Sequence, residues 1–193
     1  MQPDAITHLI FDLGGVIIEL SGKPIKQEWF PADAVPDDIW ECWLTCEAPR
    51  QFESGKLTEQ QFVKRTIAEL SLNVSEQEFL DHFLTLPHRV YPGAKALLTE
   101  LRQNYVTALL SNSNPSHWRK KLEVFHLGPL FEHHFASHLM GRVKPDASVY
   151  QYVLDQLNVN PAVTLFFDDN MLNVEAARRA GLNAEQVRGV AGL

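Results

Sequence analysis

Three short apolar runs in this chain each stop on residues that carry chemistry. His8–Phe11 runs into Asp12, Val106–Leu110 into Ser111-Asn112, and Val163–Phe167 into Asp168-Asp169. Apolar runs of this length, punctuated by Gly, Asn and Asp, predict strands buried on both faces, as in a parallel sheet. Segments with helical spacing separate them. Leu97, Leu98 and Leu101 stripe a helix over 94–104, and Pro115 opens another that carries Trp118, Leu122 and Phe125. Further helices are predicted over 147–157 and over 174–180, the last stopping at Gly181. A short strand is expected around Phe135–Ser137, an irregular loop over 138–145, and an edge strand over 183–187. Strands alternating with helices dictate an α/β fold with a parallel sheet and right-handed crossovers.

In such a sheet the strand ends share one edge, and ligands collect there. Asp12 beside Gly14-Gly15 suits phosphate or metal chemistry, because glycines let backbone N–H groups approach an anion. Taken alone, that segment reads equally well as an acidic residue opening an ordinary turn. Three such ends converging on one edge favour the chemical reading. With Lys144 in a loop that reaches the same edge, the site would hold three carboxylates, a hydroxyl, an amide and a cation. Carboxylates this close repel one another and need a compensating positive charge. A ligand set made only of oxygens favours a hard ion such as Mg²⁺.

The span from Pro24 to Val90 has a different pattern, with no strand-like run. Pro36-Asp37-Asp38 opens a helix with Ile39, Trp40, Trp43 and Leu44 on one face. Thr58-Glu59-Gln60-Gln61 has the form of a capping box, and Ser75–Glu78 approximates it. Residues 21–90 therefore form a small helical module inserted into a sheet-and-helix core made of 1–20 and 91–193. Within it, Phe52–Lys56 connects two helices, and Gly55 would let that turn dip toward the site. Cys42 and Cys46 lie four apart with too few companions for a zinc site, so they are expected to be reduced packing residues. Adjacent His133 and His134 on a strand would face opposite ways and do not share a metal with His138.

Charge and hydropathy limit the partners. A formal net charge of −7 without a long Lys/Arg run argues against nucleic acid. No apolar run approaches the roughly 18 residues of a membrane span, and the first eight residues, MQPDAITH, lack a signal-peptide shape, so a cytoplasmic location is expected. Nothing in the sequence fixes an oligomeric state.

The order DLGGV, SNSN, VKPD, FFDDN resembles the four motifs of the haloacid-dehalogenase-like hydrolases, most of which are phosphatases. The resemblance covers essentially the whole chain. It implies a Rossmann-like parallel-sheet core with an inserted helical cap, as in the family's cap-type-one members. It is greatest with the branch that has glycine in the first motif, which includes a bacterial α-D-glucose-1-phosphate phosphatase. By that resemblance Asp12 is the nucleophile and forms an aspartyl-phosphate. Gly15, Ser111, Asn112 and Lys144 bind phosphate, and Lys144 also steadies the charge shared by nucleophile and phosphoryl group. Asp12, the Gly14 carbonyl, Asp168 and Asp169 hold Mg²⁺, and the substrate is a small phosphorylated metabolite. One departure matters. The family's usual first motif is Asp-x-Asp, whose second Asp moves protons, and this chain has Gly14 there. Loss of that acid favours esters with acidic leaving hydroxyls, such as sugar 1-phosphates. A 2-haloacid dehalogenase and a catalytically weak phospho-ligand-binding module are the alternatives.

Overall fold

The computed structural model describes residues 5–193. β1 (His8–Phe11) continues into a tight turn and β2 (Ile18–Leu20). Four helices follow: α1 (Ile39–Thr45), α2 (Glu47–Glu53), α3 (Glu59–Glu69) and α4 (Glu76–Thr85). The chain returns through β3 (Pro87–Val90), α5 (Ala94–Leu101), β4 (Val106–Ser111), α6 (Pro115–Arg119), β5 (His133–Ala136) and α7 (Ser137–Met140). It ends with α8 (Ala147–Leu157), β6 (Thr164–Asp168), α9 (Met171–Arg179) and β7 (Asn183–Gln186).

The main sheet has five strands in the order β5-β4-β1-β6-β7, all parallel. β1 takes the centre because both of its faces are apolar. Ile10 packs with Ala108, Leu110 and Phe166 under α8 and α9. Leu9 and Phe11 point the other way, into a layer with Leu98, Leu109 and Phe131. This is the α/β Rossmann-like arrangement expected. The Asp12 N–H donates to the Phe167 carbonyl at 2.8 Å, so the ladder runs one residue past β1 and sets Asp12 beside Asp168.

The helical module has its own core of Trp29, Trp43, Phe52, Phe62, Phe79 and Phe83, with Phe52 and Phe62 stacked 4.3 Å apart. Its helices start where capping side chains satisfy free N–H groups. Asp38 caps α1, Ser75 caps α4, and Thr58 with Gln61 makes a reciprocal capping box on α3. The Cys42 and Cys46 sulfurs lie 3.7 Å apart and unlinked, and burial first, then the neighbouring Cys42, pushes the Cys46 thiol up to about 12. No helix among the described residues is long and apolar enough to cross a membrane. The MQPDAITH segment read above falls partly on residues 1–4, outside the described residues.

Several local expectations are corrected. The span 24–90 does contain a strand, since β3 pairs antiparallel with β2. Pro87-His88-Arg89-Val90 is not an apolar run, and only its partner makes it a strand. The strand expected around Phe135–Ser137 runs from His133 to Ala136, and Ser137 opens α7, which extends to Met140 into the stretch expected to be a loop. The helix over 94–104 stops at Leu101. The helix expected to begin at Val174 begins at Met171, because Asn170 caps it by accepting from the Leu172 N–H.

Candidate active site

The C-terminal ends of β1, β4 and β6 line a cavity of about 500 Å³ between the sheet and the helical module. Asp12, Ser111, Asn112, Lys144 and Asp169 open onto it, with Gly14 at its edge. Lys144 is the hub. Its buried ammonium donates to Asp12 Oδ1 at 2.7 Å and to Asp168 Oδ2 at 2.6 Å. Burial alone would lower its pKa, but Asp12 and Asp168 outweigh burial and hold it above the ordinary lysine value. Asn112 fixes the loop that carries it. The Asn112 amide donates to the Lys144 carbonyl at 3.0 Å and accepts from the Lys144 N–H at 2.9 Å.

The two adjacent acids divide in environment. Asp168 is fully buried, and besides Lys144 its oxygens accept from the Asn170 N–H and the Asn173 amide. Burial pushes its carboxyl upward, and the Lys144 ammonium opposes that shift. Asp169 remains partly open to the cavity. Burial first, then the charges of Asp12 and Asp168, pushes it up to about 7. Oxygens of Asp12, Asp168 and Asp169 all lie within 4.8 Å of one another. Gly14 lines the same cavity, and among the described residues nothing donates to its carbonyl. Three crowded carboxylates share one bonded ammonium, so the donor set is short of positive charge and suits a hard cation.

Gly15 was expected to offer its N–H to phosphate, and it does something else. That N–H donates to the Ile18 carbonyl at 2.8 Å, and the residue adopts φ 74°. A Cβ there would overlap the Asp169 carboxylate. Gly15 thus makes room for an acid. Gly15→Ala should displace Asp169 and abolish any melting-temperature rise on adding Mg²⁺, and an undiminished rise would show that the contact is relieved elsewhere.

On the far side of the cavity stands a residue that carries no motif. Lys121 lies in the π-helical turn Lys120–Val124 that continues α6, a geometry frequent at functional sites. Its buried ammonium donates to Ser111 Oγ at 2.9 Å and to Ser113 Oγ at 3.2 Å. Burial pulls it down to about 8, against the opposing pull of Asp12 and Glu53. His117 nearby is neutral at about 3, mainly through burial. Its Nε2–H donates to the Phe83 carbonyl, and Nδ1 accepts from the Asn114 amide. His133, His134 and His138 lie apart from this cavity's lining.

A model of the haloacid dehalogenase-like hydrolases matches residues 6–181. The chain belongs to that family. It is 36% identical over 196 residues to a phosphatase of Mycobacterium tuberculosis, covering 93% of this chain and 86% of the relative. A D-ribitol-5-phosphate phosphatase of Bacteroides thetaiotaomicron is 27% identical, with 94% and 91% covered. An (S)-2-haloacid dehalogenase of a Pseudomonas species is 23% identical, with 97% and 86% covered. Among solved structures, the magnesium complex of a HAD family enzyme from Bacteroides thetaiotaomicron superimposes with a TM-score of 0.74. It is 25% identical, and the match covers 96% of this chain and 94% of the other. The protein is a hydrolase of this family, and its relatives include phosphatases.

Proposed function

We propose that this hydrolase is a Mg²⁺-dependent phosphatase of small phosphorylated metabolites. The observation that carries the reading is a pair of opposite demands in one cavity. Three carboxylates within 4.8 Å outnumber the single Lys144 ammonium bonded among them and suit a further cation, and the Ser111 hydroxyl backed by the Lys121 ammonium suits an anion. A metal together with a phosphate meets both demands. The relatives named as phosphatases and the neighbour crystallised with magnesium support the same reading.

Asp12 and Asp169, with the Gly14 carbonyl, would hold Mg²⁺, and Asp168 stands one step back because Lys144, Asn170 and Asn173 occupy its oxygens. Bound there, the ion supplies charge neutralisation at the phosphoryl oxygens. Asp12 attacks phosphorus, and a carboxylate nucleophile splits hydrolysis into two easier steps through an aspartyl-phosphate. Lys144 orients Asp12 and offsets the negative charge that nucleophile and phosphoryl group share. Ser111, with the backbone of Asn112, binds the phosphate from the other side. Phosphoryl transfer needs such placement and neutralisation more than bond-making help.

Residues 21–90 act as a cap over a core of 1–20 and 91–193 and select the leaving group. Arg50 of α2 grips Asp146 at the start of α8 with two 2.9 Å hydrogen bonds, and Ser116 donates to Glu59 of α3 at 2.8 Å. The sugar 1-phosphate preference expected from Gly14 assumes that no other acid faces the leaving oxygen. A screen of sugar phosphates, nucleotides and phosphorylated cofactors, with and without Mg²⁺, tests the function. Phosphate release that requires Mg²⁺ is expected. Release undiminished in excess chelator, or none from any ester, overturns the reading.

A further inference from the structure

Resting on that phosphatase reading, we infer that Glu53, from the helical module, supplies the proton that the missing second acid of the first motif cannot. Geometry selects it. Phosphoryl transfer places the attacking and leaving oxygens roughly in line across phosphorus. With Asp12 on the sheet edge, the leaving oxygen must face the helical module. That side of the cavity brings two carboxylic acids into the lining, Asp38 and Glu53. Asp38 is exposed, and its Oδ1 is committed to the Trp40 and Glu41 N–H groups at the start of α1. His117 on the same wall is neutral and has both ring nitrogens engaged. Glu53 is left.

The fold holds Glu53 in place. It is the last residue of α2, and its Oε1 accepts from Trp43 Nε1 at 3.3 Å, which leaves Oε2 for another partner. The same helix is tied to the core on either side of it. Arg50 is bound to Asp146 one turn earlier. Two residues later Gly55, at φ 74°, lies so close to the α7 backbone that a Cβ would come within 2.5 Å of the His138 carbonyl oxygen. Glycine is what allows that approach. Burial raises the Glu53 carboxyl above the usual carboxylate range, opposed by the Trp43 hydrogen bond and by Lys121, Lys144 and Arg50. A carboxyl so placed keeps its proton nearer to neutral pH, as a general acid must.

The proton accounting closes. As an Asp12 oxygen bonds to phosphorus, the bond from phosphorus to the leaving oxygen breaks. The electron pair stays on that oxygen, which takes the Glu53 proton and departs as the alcohol. The Glu53 carboxylate then faces the position from which water enters, in line with the Asp12–phosphorus bond. It takes a proton from water as the water oxygen bonds to phosphorus and the Asp12 carboxylate is released. Inorganic phosphate and a protonated Glu53 result.

The test compares kcat/KM with Mg²⁺ on p-nitrophenyl phosphate, glucose 1-phosphate and glucose 6-phosphate. Glu53→Gln keeps the shape and the acceptor for Trp43. It should lose roughly 10²–10⁴-fold on the 6-phosphate, whose leaving hydroxyl needs a proton most, and far less on the aryl ester. The 1-phosphate should fall between, so the variant acquires the leaving-group bias that Gly14 alone would impose. Adding Gly14→Asp to Glu53→Gln should restore part of the 6-phosphate activity. A Cβ is accommodated there, since its nearest neighbours would be Leu20 at 3.5 Å and Asp12 Oδ2 at 3.9 Å, ordinary van der Waals contacts. Equal losses on all three esters, or no recovery in the double variant, overturn the role of Glu53 while leaving the phosphatase reading intact. A wild type inert on every ester overturns both.

Discussion

Asp12→Asn should extinguish turnover while the protein stays folded. An amide presents no anionic oxygen to phosphorus, so the loss should reach roughly 10⁶-fold, the scale seen when a hydrolase loses its nucleophile. The fold should survive for a reason specific to this site. Removing the Asp12 charge does not orphan the buried Lys144 ammonium, which keeps Asp168 at 2.6 Å. It also relieves repulsion among three carboxylates crowded within 4.8 Å. The variant's melting temperature without metal should therefore lie near or above that of the wild type. Acid-quenched wild type caught during turnover should carry an acyl phosphate on Asp12, and the variant should carry none. Wild-type turnover by Asp12→Asn would remove Asp12 from the chemistry and the aspartyl-phosphate with it.

The fold was legible where burial on both faces left its mark on single runs. His8–Phe11, Val106–Leu110 and Val163–Phe167 are mostly apolar, with His8, Thr107 and Thr164 the exceptions, because both faces of the sheet are covered. The strand ends were legible for the same reason, since the first polar residue after a buried run lies at the sheet edge. β3 was not, because Pro87–Val90 lies half exposed and owes its conformation to β2, distant in sequence. Side chains that reach the cavity from helices left no such trace. Lys121 belongs to no motif, and it reaches Ser111 from a π-helical turn that the sequence pattern does not announce. Glu53 could be noticed only through Gly55, whose close approach to α7 brings α2 down on the site. Gly15 shows the opposite failure. A glycine beside a presumed phosphate site suggests a free N–H, whereas here its missing side chain is what matters.

Asp169→Ala should separate metal binding from folding. Without metal, the Asp169 carboxyl lies at about 7, against an ordinary 3.8, because burial and the charges of Asp12 and Asp168 disfavour its ionised form. Its folded-state pKa is therefore the higher one. The Asp169 contribution to metal-free stability is fully present below about 4 and is lost as pH rises through about 7. Deleting the side chain removes that loss, so metal-free Asp169→Ala should melt at or above the wild type at pH 8. Mg²⁺ should raise the melting temperature of the wild type, because a ligand that binds only the folded state stabilises it, and should do so little in the variant. Wild-type affinity for Mg²⁺ should weaken as pH falls below about 7, since a proton then competes for the Asp169 oxygens. Phosphatase activity should fall with the lost binding and recover in part at high Mg²⁺ concentration. Undiminished hydrolysis by Asp169→Ala would mean that the acidic pair at the end of β6 holds no catalytic metal. Chloride release from a 2-chloroacid, unaffected by chelator, would then assign the same Asp12 to carbon instead of phosphorus.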